Sequence, residues 1–267
     1  MDTRPIGIFD SGVGGLTVVK TVSAQLKNES IIYFGDTARV PYGCKSKETV
    51  TKFSAQIIRF LLEKNVKAII IACNTVNTNS IEALRKMFPD VLIEGVVEAG
   101  VHMALEASEG KIGVIGTEAT VQSERYPQLL HEARQSLEVY QRACPLFVPL
   151  VEDGWAEHPV TKQVATEYLS PLLQKGIDSL ILGCTHYPML MKTIGEVVGE
   201  EVKLINPAKE AARRMGVLLE KKGLEAPQKA GEYAFFVSDD PQRMQHMAQM
   251  FLKYEVKQVE KIDIEAY

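Results

Sequence analysis

The sequence predicts an α/β protein built from two similar halves, each a mostly parallel sheet, with an active site in the cleft between them. Three observations carry this. Short apolar runs alternate with stretches of helical periodicity along the chain. Two of those runs end in a cysteine with polar neighbours: Lys67-Ala-Ile-Ile-Ile-Ala-Cys73-Asn74-Thr75 and Ser179-Leu-Ile-Leu-Gly-Cys184-Thr185-His186. The segment Ile6-Gly-Ile-Phe-Asp10-Ser11 is echoed by Ile112-Gly-Val-Ile-Gly116-Thr117. The units from Ile6 to Cys73 and from Ile112 to Cys184 are therefore alike in length and in both ends, which reads as an internal repeat.

The elements follow in order. Pro5–Phe9 reads as a first strand, opening into the glycine-rich loop Asp10-Ser-Gly-Val-Gly-Gly15. A helix is expected over Leu16–Leu26 and a strand over Ser30–Phe34. Phe53, Ile57, Phe60 and Leu61 place a helix over Glu48–Lys64. The unbroken apolar run Lys67–Ala72 predicts a strand buried on both faces. A helix is expected at Ile81–Phe88 and a strand at Val91–Gly95. After Lys111–Thr117 and Ser179–Gly183, helices are expected at Met189–Val198, Ala208–Lys222 and Pro241–Leu252. Strands are expected at Val202–Ile205 and Tyr233–Val237, with a last edge strand at Val256–Ile262. Pro241 suits a first helical turn, where its missing N–H costs nothing.

Composition narrows the function. The chain has 267 residues, a net charge of −4 and 46% hydrophobic residues, ordinary for a globular enzyme. Its pI near 5.8 and lack of a basic stripe argue against nucleic acid as a partner. An anionic substrate must then be held by local donors, not by the field of the whole protein. No apolar stretch is long enough for a membrane span, and the first run is too short for a signal-peptide core. The four cysteines (Cys44, Cys73, Cys144 and Cys184) form no CxxC pair, which argues against zinc or thioredoxin chemistry. Reduced thiols and a cytoplasmic location are the expectation.

Ligands of open α/β sheets bind beyond the carboxyl ends of the strands. Asp10-Ser11, Tyr42-Gly43, Cys73-Asn74-Thr75, Thr117 and Cys184-Thr185-His186 all fall at or after such ends. Cys44 and Cys144 lack that context and read as incidental. Gly12-x-Gly14-Gly15 is followed by Thr17 where a dinucleotide loop needs glycine, and Gly43-Cys-Lys45-Ser46 is not a Walker A loop. Two facing thiols can invert a carbon centre without a cofactor, one as thiolate removing a proton and the other donating one. A free thiol ionises near pH 8.5, so one thiolate costs about 2 kcal/mol at pH 7. A helix N-terminus can return about 0.3–2 kcal/mol of that. Two thiolates would repel, so the pair should share a proton and titrate as a unit.

These residues resemble the motifs of glutamate racemases, within the aspartate/glutamate racemase superfamily. The resemblance rests on Asp10-Ser11-Gly-x-Gly-Gly, Val40-Pro41-Tyr42-Gly43-x-Lys45-Ser46, Ala72-Cys73-Asn74-Thr75 and Leu182-Gly-Cys184-Thr185-His186-Tyr187-Pro188. Gly116-Thr117-x-Ala-Thr120 and Val148-Pro-Leu-Val-Glu152 also fit, and the similarity runs from about residue 5 to about residue 215. Residues 223–232 and the Ser238-Asp239-Asp240 turn are the least diagnostic.

The resemblance implies a two-base racemase that interconverts L- and D-glutamate without cofactor or metal and supplies D-glutamate for peptidoglycan. It implies Cys73 as base for the D-enantiomer and Cys184 for the L-enantiomer. Asp10, Ser11, Tyr42, Gly43, Asn74, Thr75, Thr185 and His186 would bind substrate, and Asp10, Glu152 and His186 would assist proton traffic. It also implies lobes of residues 1–97 plus 207–267 and of 98–206, and a homodimer. The residues alone leave alternatives: an aspartate racemase, a Cys-His hydrolase with one nucleophilic thiol, or an amino-acid binding protein. Protection of both Cys73 and Cys184 from a thiol reagent by glutamate would separate the racemase from the last two.

Overall fold

In the computed structural model, which describes residues 1–228, 231–252 and 256–267, strands and helices alternate throughout. The chain opens with β1 (Ile6–Asp10), α1 (Leu16–Gln25), β2 (Ile31–Gly35), α2 (Lys47–Glu63), β3 (Ala68–Ile71), α3 (Asn74–Met87), β4 (Leu92–Gly95) and α4 (Val96–Ala107). It continues with β5 (Lys111–Gly116), α5 (Glu118–Gln122), α6 (Arg125–Ala133), β6 (Glu138–Ala143), α7 (Phe147–Glu152), α8 (Pro159–Leu173), β7 (Ser179–Gly183) and α9 (Met191–Val198). It ends with β8 (Lys203–Ile205), α10 (Pro207–Lys222), β9 (Tyr233–Val237), α11 (Pro241–Leu252) and β10 (Val259–Lys261).

The strands form two sheets, ordered β10-β9-β2-β1-β3-β4 and β6-β5-β7-β8, and every pairing among the described residues is parallel. The repeat read from the sequence is visible in this order. β2-β1-β3-β4 and β6-β5-β7-β8 have the same topology, with β1 beside β3 and β5 beside β7. In each sheet the order reverses beside the first strand of the repeat, so the carboxyl ends of β1/β3 and β5/β7 make matching crevices. β1, β3 and β7 are buried along their whole length. They read as continuous apolar runs because helices cover both faces.

One apolar cluster joins the halves. It runs from Ile8 and Ile70 through Val96 of α4 and Ala211 and Met215 of α10 to Leu180 and Leu182 of β7. α4 and α10 pack on each other, and α10 also packs on α1. α10 is sharply bounded. Asn206 accepts from the Ala208 N–H, Pro207 takes the first turn, and Gly223 ends the helix at φ 66°.

Most expected elements lie within one or two residues of their predicted bounds. Three differences stand out. The helix expected at Ile81–Phe88 starts at Asn74. The run Asn74-Thr-Val-Asn-Thr-Asn79 has low helix propensity, and burial of Asn74, Thr75, Val76 and Asn77 overrides it. Helix α4, which begins directly after the strand expected at Val91–Gly95, is not among the expected elements. The elements α5, α6, β6, α7 and α8 were not foreseen either. β6 is an edge strand with no fully buried residue, so its apolar signal is weak. The edge strand expected at Val256–Ile262 is shorter, Val259–Lys261, and pairs beside β9.

Candidate active site

The carboxyl ends of β1, β3, β5 and β7 surround a cavity of about 450 Å³. Cys73 and Cys184 both line it, and each is more than nine-tenths buried. Ser11, Tyr42, Gly43, Asn74, Thr75, Thr185 and His186 line it as well, so nearly every residue singled out from the sequence converges here. Asp10 does not line the cavity. Its carboxylate sits behind the wall, accepting from the backbone N–H of Gly15 at 2.9 Å and of Gly12 at 3.4 Å, with the Thr185 hydroxyl at 3.5 Å. Its observed contacts are those of loop chemistry and a link between the halves.

The halves meet closely around the cavity. Gly14 allows it, because a Cβ there would lie 2.4 Å from Thr185 Oγ1 and 2.5 Å from His186 Nδ1. The Thr17 hydroxyl donates to the Thr185 carbonyl at 2.8 Å. On the other wall the hydroxyls of Thr75 and Thr117 are 3.1 Å apart, and Tyr126 OH donates to Asn74 Oδ1 at 2.8 Å.

The two thiols sit in unlike surroundings. Cys73 is the N-cap residue of α3 and its Sγ lies 3.5 Å from Ser11 Oγ. Burial and then the nearby Asp10 carboxylate push its pKa up to about 12. The help expected from a helix N-terminus is therefore outweighed by desolvation. Cys184 Sγ lies 3.9 Å from His186 Nδ1. His186 Nε2 is 2.9 Å from Glu152 Oε1, and Glu152 Oε2 accepts from Arg243 Nη2 at 2.8 Å. Burial alone would lower the His186 pKa, but Cys184 and Glu152 together raise it to about 10. These two partners favour the protonated imidazole, and the hydrogen bond to His186 keeps the Glu152 carboxyl below its usual range.

Glu118 and Pro145 also line the cavity and were not singled out from the sequence. Glu118 directly follows Thr117, so its place after a strand end could have marked it. Val148 and Pro149 on α7, part of a motif that carried the resemblance, give the cavity an apolar wall. Cys44, read as incidental, is exposed on the cavity rim. Cys144 is buried, and its pKa is raised mainly by that burial. Among the described residues no group of three or more His, Cys, Asp or Glu side chains could hold a metal ion. No described helix is long and apolar enough to cross a membrane.

Two sister sheets of one topology that each present a buried thiol to a shared cavity are the fold and site of an isomerase of the racemase class. Residues 6–215 match the family model described as Asp/Glu/Hydantoin racemase, and the chain belongs to that family. It is 46% identical to a glutamate racemase of Chlorobaculum tepidum over 261 residues, covering 97% of this chain and 96% of the relative. It is 45% identical to one of Geobacter metallireducens over 268 residues, covering 100% and 99%. The fold matches the crystal structure of glutamate racemase from Francisella tularensis in complex with D-glutamate, at a TM-score of 0.94 and 41% identity over 100% of both chains. It also matches the Thermus thermophilus glutamate racemase in complex with beta-chloro-D-alanine, at a TM-score of 0.91 and 41% identity over 100% of both chains.

Proposed function

We propose that this protein interconverts L- and D-glutamate by a two-base reaction, with Cys184 and Cys73 on opposite faces of the substrate Cα. The observation that carries the reading is the pair of buried thiols at equivalent strand ends of two sister sheets, on one cavity. With L-glutamate bound, the Cys184 thiolate takes the Cα proton. The Cys73 thiol, kept protonated by burial and by Asp10, delivers its own proton to the other face. One C–H bond breaks and one forms, and the negative charge passes from one sulfur to the other. Running the steps backwards converts the D-enantiomer. The imidazolium of His186, 3.9 Å from Cys184 Sγ, stabilises negative charge on that sulfur.

An acidic protein needs neutral donors for a dicarboxylate. On this reading the hydroxyls of Ser11, Thr75 and Thr185, the Asn74 amide and the backbone around Gly43, all from residues that line the cavity, supply them. The same reading takes residues 1–97 plus 207–267 and residues 98–206 as two lobes. It takes the enzyme as a cytoplasmic homodimer that needs no metal or cofactor and supplies D-glutamate for peptidoglycan. The Cys184–His186–Glu152 line would also suit a thiol hydrolase, but that reading leaves the second cavity thiol without a role.

The test is racemisation in deuterium oxide by enzyme dialysed against a chelator and treated with a carbonyl-trapping reagent. Circular dichroism follows L-Glu, D-Glu, L-Asp and D-Asp. Glutamate should racemise without additions, and aspartate should not. At early turnover the product enantiomer should carry deuterium at Cα while recovered substrate stays almost unlabelled. Equal early labelling of both enantiomers would remove the facing-thiol mechanism.

A further inference from the structure

Asp36 is fully buried and takes no part in the chemistry above. It follows β2, and its N–H donates to the Asp10 carbonyl at 3.1 Å. Three side-chain donors converge on its carboxylate. The Tyr42 hydroxyl and Arg39 Nε, the latter at 2.7 Å, share Oδ2, and the Ser238 hydroxyl donates to Oδ1 at 2.7 Å. A carboxylate is acceptor-only, so this arrangement uses both oxygens. Such charge-assisted bonds, shielded from water, are among the strongest a loop can have.

The partners come from far along the chain. Ser238 directly follows β9, and its Oγ also accepts from the Ala38 N–H at 2.8 Å. Arg39 continues to Gln56 at 2.6 Å and to Glu265 at 3.0 Å, with its guanidinium 4.0 Å from the centre of the Phe53 ring. Tyr42 packs on the same ring, centroids 5.8 Å apart. The Tyr42 hydroxyl is thus committed to Asp36, while the loop as a whole, Val40 to Cys44, lines the cavity. Across the gap, a Cβ on Gly43 would sit 3.4 Å from Thr117 Cβ, so the loop's height sets how closely it faces the other half.

We propose that Asp36, held by Ser238 and Arg39, is a positioning residue that fixes the Tyr42–Gly43 loop in its substrate-binding place. It acts on substrate binding and not on proton transfer, since among the described residues the hydrogen bonds of Cys73 and Cys184 run to Ser11 and His186 and not to this network. The inference rests on the reading that the Tyr42–Gly43 loop contacts glutamate. The Ser238 turn, among the least informative stretches of the sequence, becomes part of the binding machinery through this one carboxylate.

The test is steady-state glutamate racemisation, read as KM against kcat, with Tm measured alongside. Asp36→Asn should raise KM by about fivefold or more, the scale of one lost buried hydrogen bond. Its kcat should stay within about twofold of wild type. Ser238→Ala should raise KM less, and Ser238→Thr, which keeps the hydroxyl, should restore it. Tyr42→Phe should raise KM, and adding it to Asp36→Asn should do little more. If Asp36→Asn does not fold, Ser238→Ala and Tyr42→Phe decide. Gly43→Val, which crowds Thr117, is the control for the underlying reading. Raised KM in Gly43→Val with unchanged KM in the Asp36 and Ser238 variants, whatever their Tm, overturns the positioning role alone. Unchanged KM in Gly43→Val itself overturns the substrate-loop reading and the positioning role with it.

Discussion

Cys73 and Cys184 occupy the same position in two copies of one topology, yet one faces an anion and the other a cation. Each follows the strand that lies beside the first strand of its repeat. Around Cys73 stand the buried Asp10 carboxylate and the Ser11 hydroxyl, and the sulfur keeps its proton up to about pH 12. Around Cys184 stands His186, tied through Glu152 to Arg243. The backbone repeat places the two sulfurs alike. What differs is the side chains at those strand ends, Asp10-Ser11 in one half against Gly116-Thr117 in the other, and the support that His186 draws from outside the repeated positions: Glu152 from α7 and Arg243 from α11. On the proposed two-base reaction, backbone symmetry serves both faces of the substrate, and local asymmetry keeps two negative sulfurs from meeting in one cavity.

The comparison breaks most visibly if either sulfur is removed. Cys73→Ala and Cys184→Ala should each lower glutamate racemisation by about a thousandfold or more, within the range for loss of a general acid or base. Cys44→Ala, at the rim, should keep most of the activity. A circular-dichroism rate assay decides, and substantial turnover by either of the first two variants would end the two-base assignment.

Removing the cation should matter less, because the sulfur remains. We expect His186→Gln to lower kcat by about ten- to a hundredfold. The same residue sets a pH dependence of stability. The folded protein holds the His186 proton to about pH 10, against 6.5 for an ordinary imidazole. Between those values the folded state binds more protons than the unfolded one. The stabilising contribution is whole below pH 6.5 and fades as pH rises to about 10. Urea midpoints should therefore fall over that window, and fall less in His186→Gln. An identical slope in the two proteins would show that His186 is not held as a cation.

The smallest effect is expected where the halves are tied. Tyr126→Phe removes the donor to Asn74 Oδ1 and leaves a buried acceptor without that partner. The expected loss is about 1–2 kcal/mol of stability in urea unfolding. A change below about 0.3 kcal/mol would mean that this bond adds nothing to the join beside Cys73.

The sequence by itself determined the strands buried on both faces, because such strands must be apolar from end to end. β1, β3 and β7 announce themselves this way, and each stops where a chemically able residue begins. It also determined the repeat and the identity of both thiols, since equivalent strand ends carry equivalent motifs. Only the tertiary structure decided the charge around them. Glu152 reaches His186 across 34 positions, Arg243 reaches Glu152 across 91, and Ser238 reaches Asp36 across 202. No periodicity records such pairings, because each partner is an ordinary polar residue on an ordinary helix or turn. Edge strand β6 and the polar start of α3 escaped the sequence for a related reason. Their state is set by the surface they pack against, and local propensity has little hold on it.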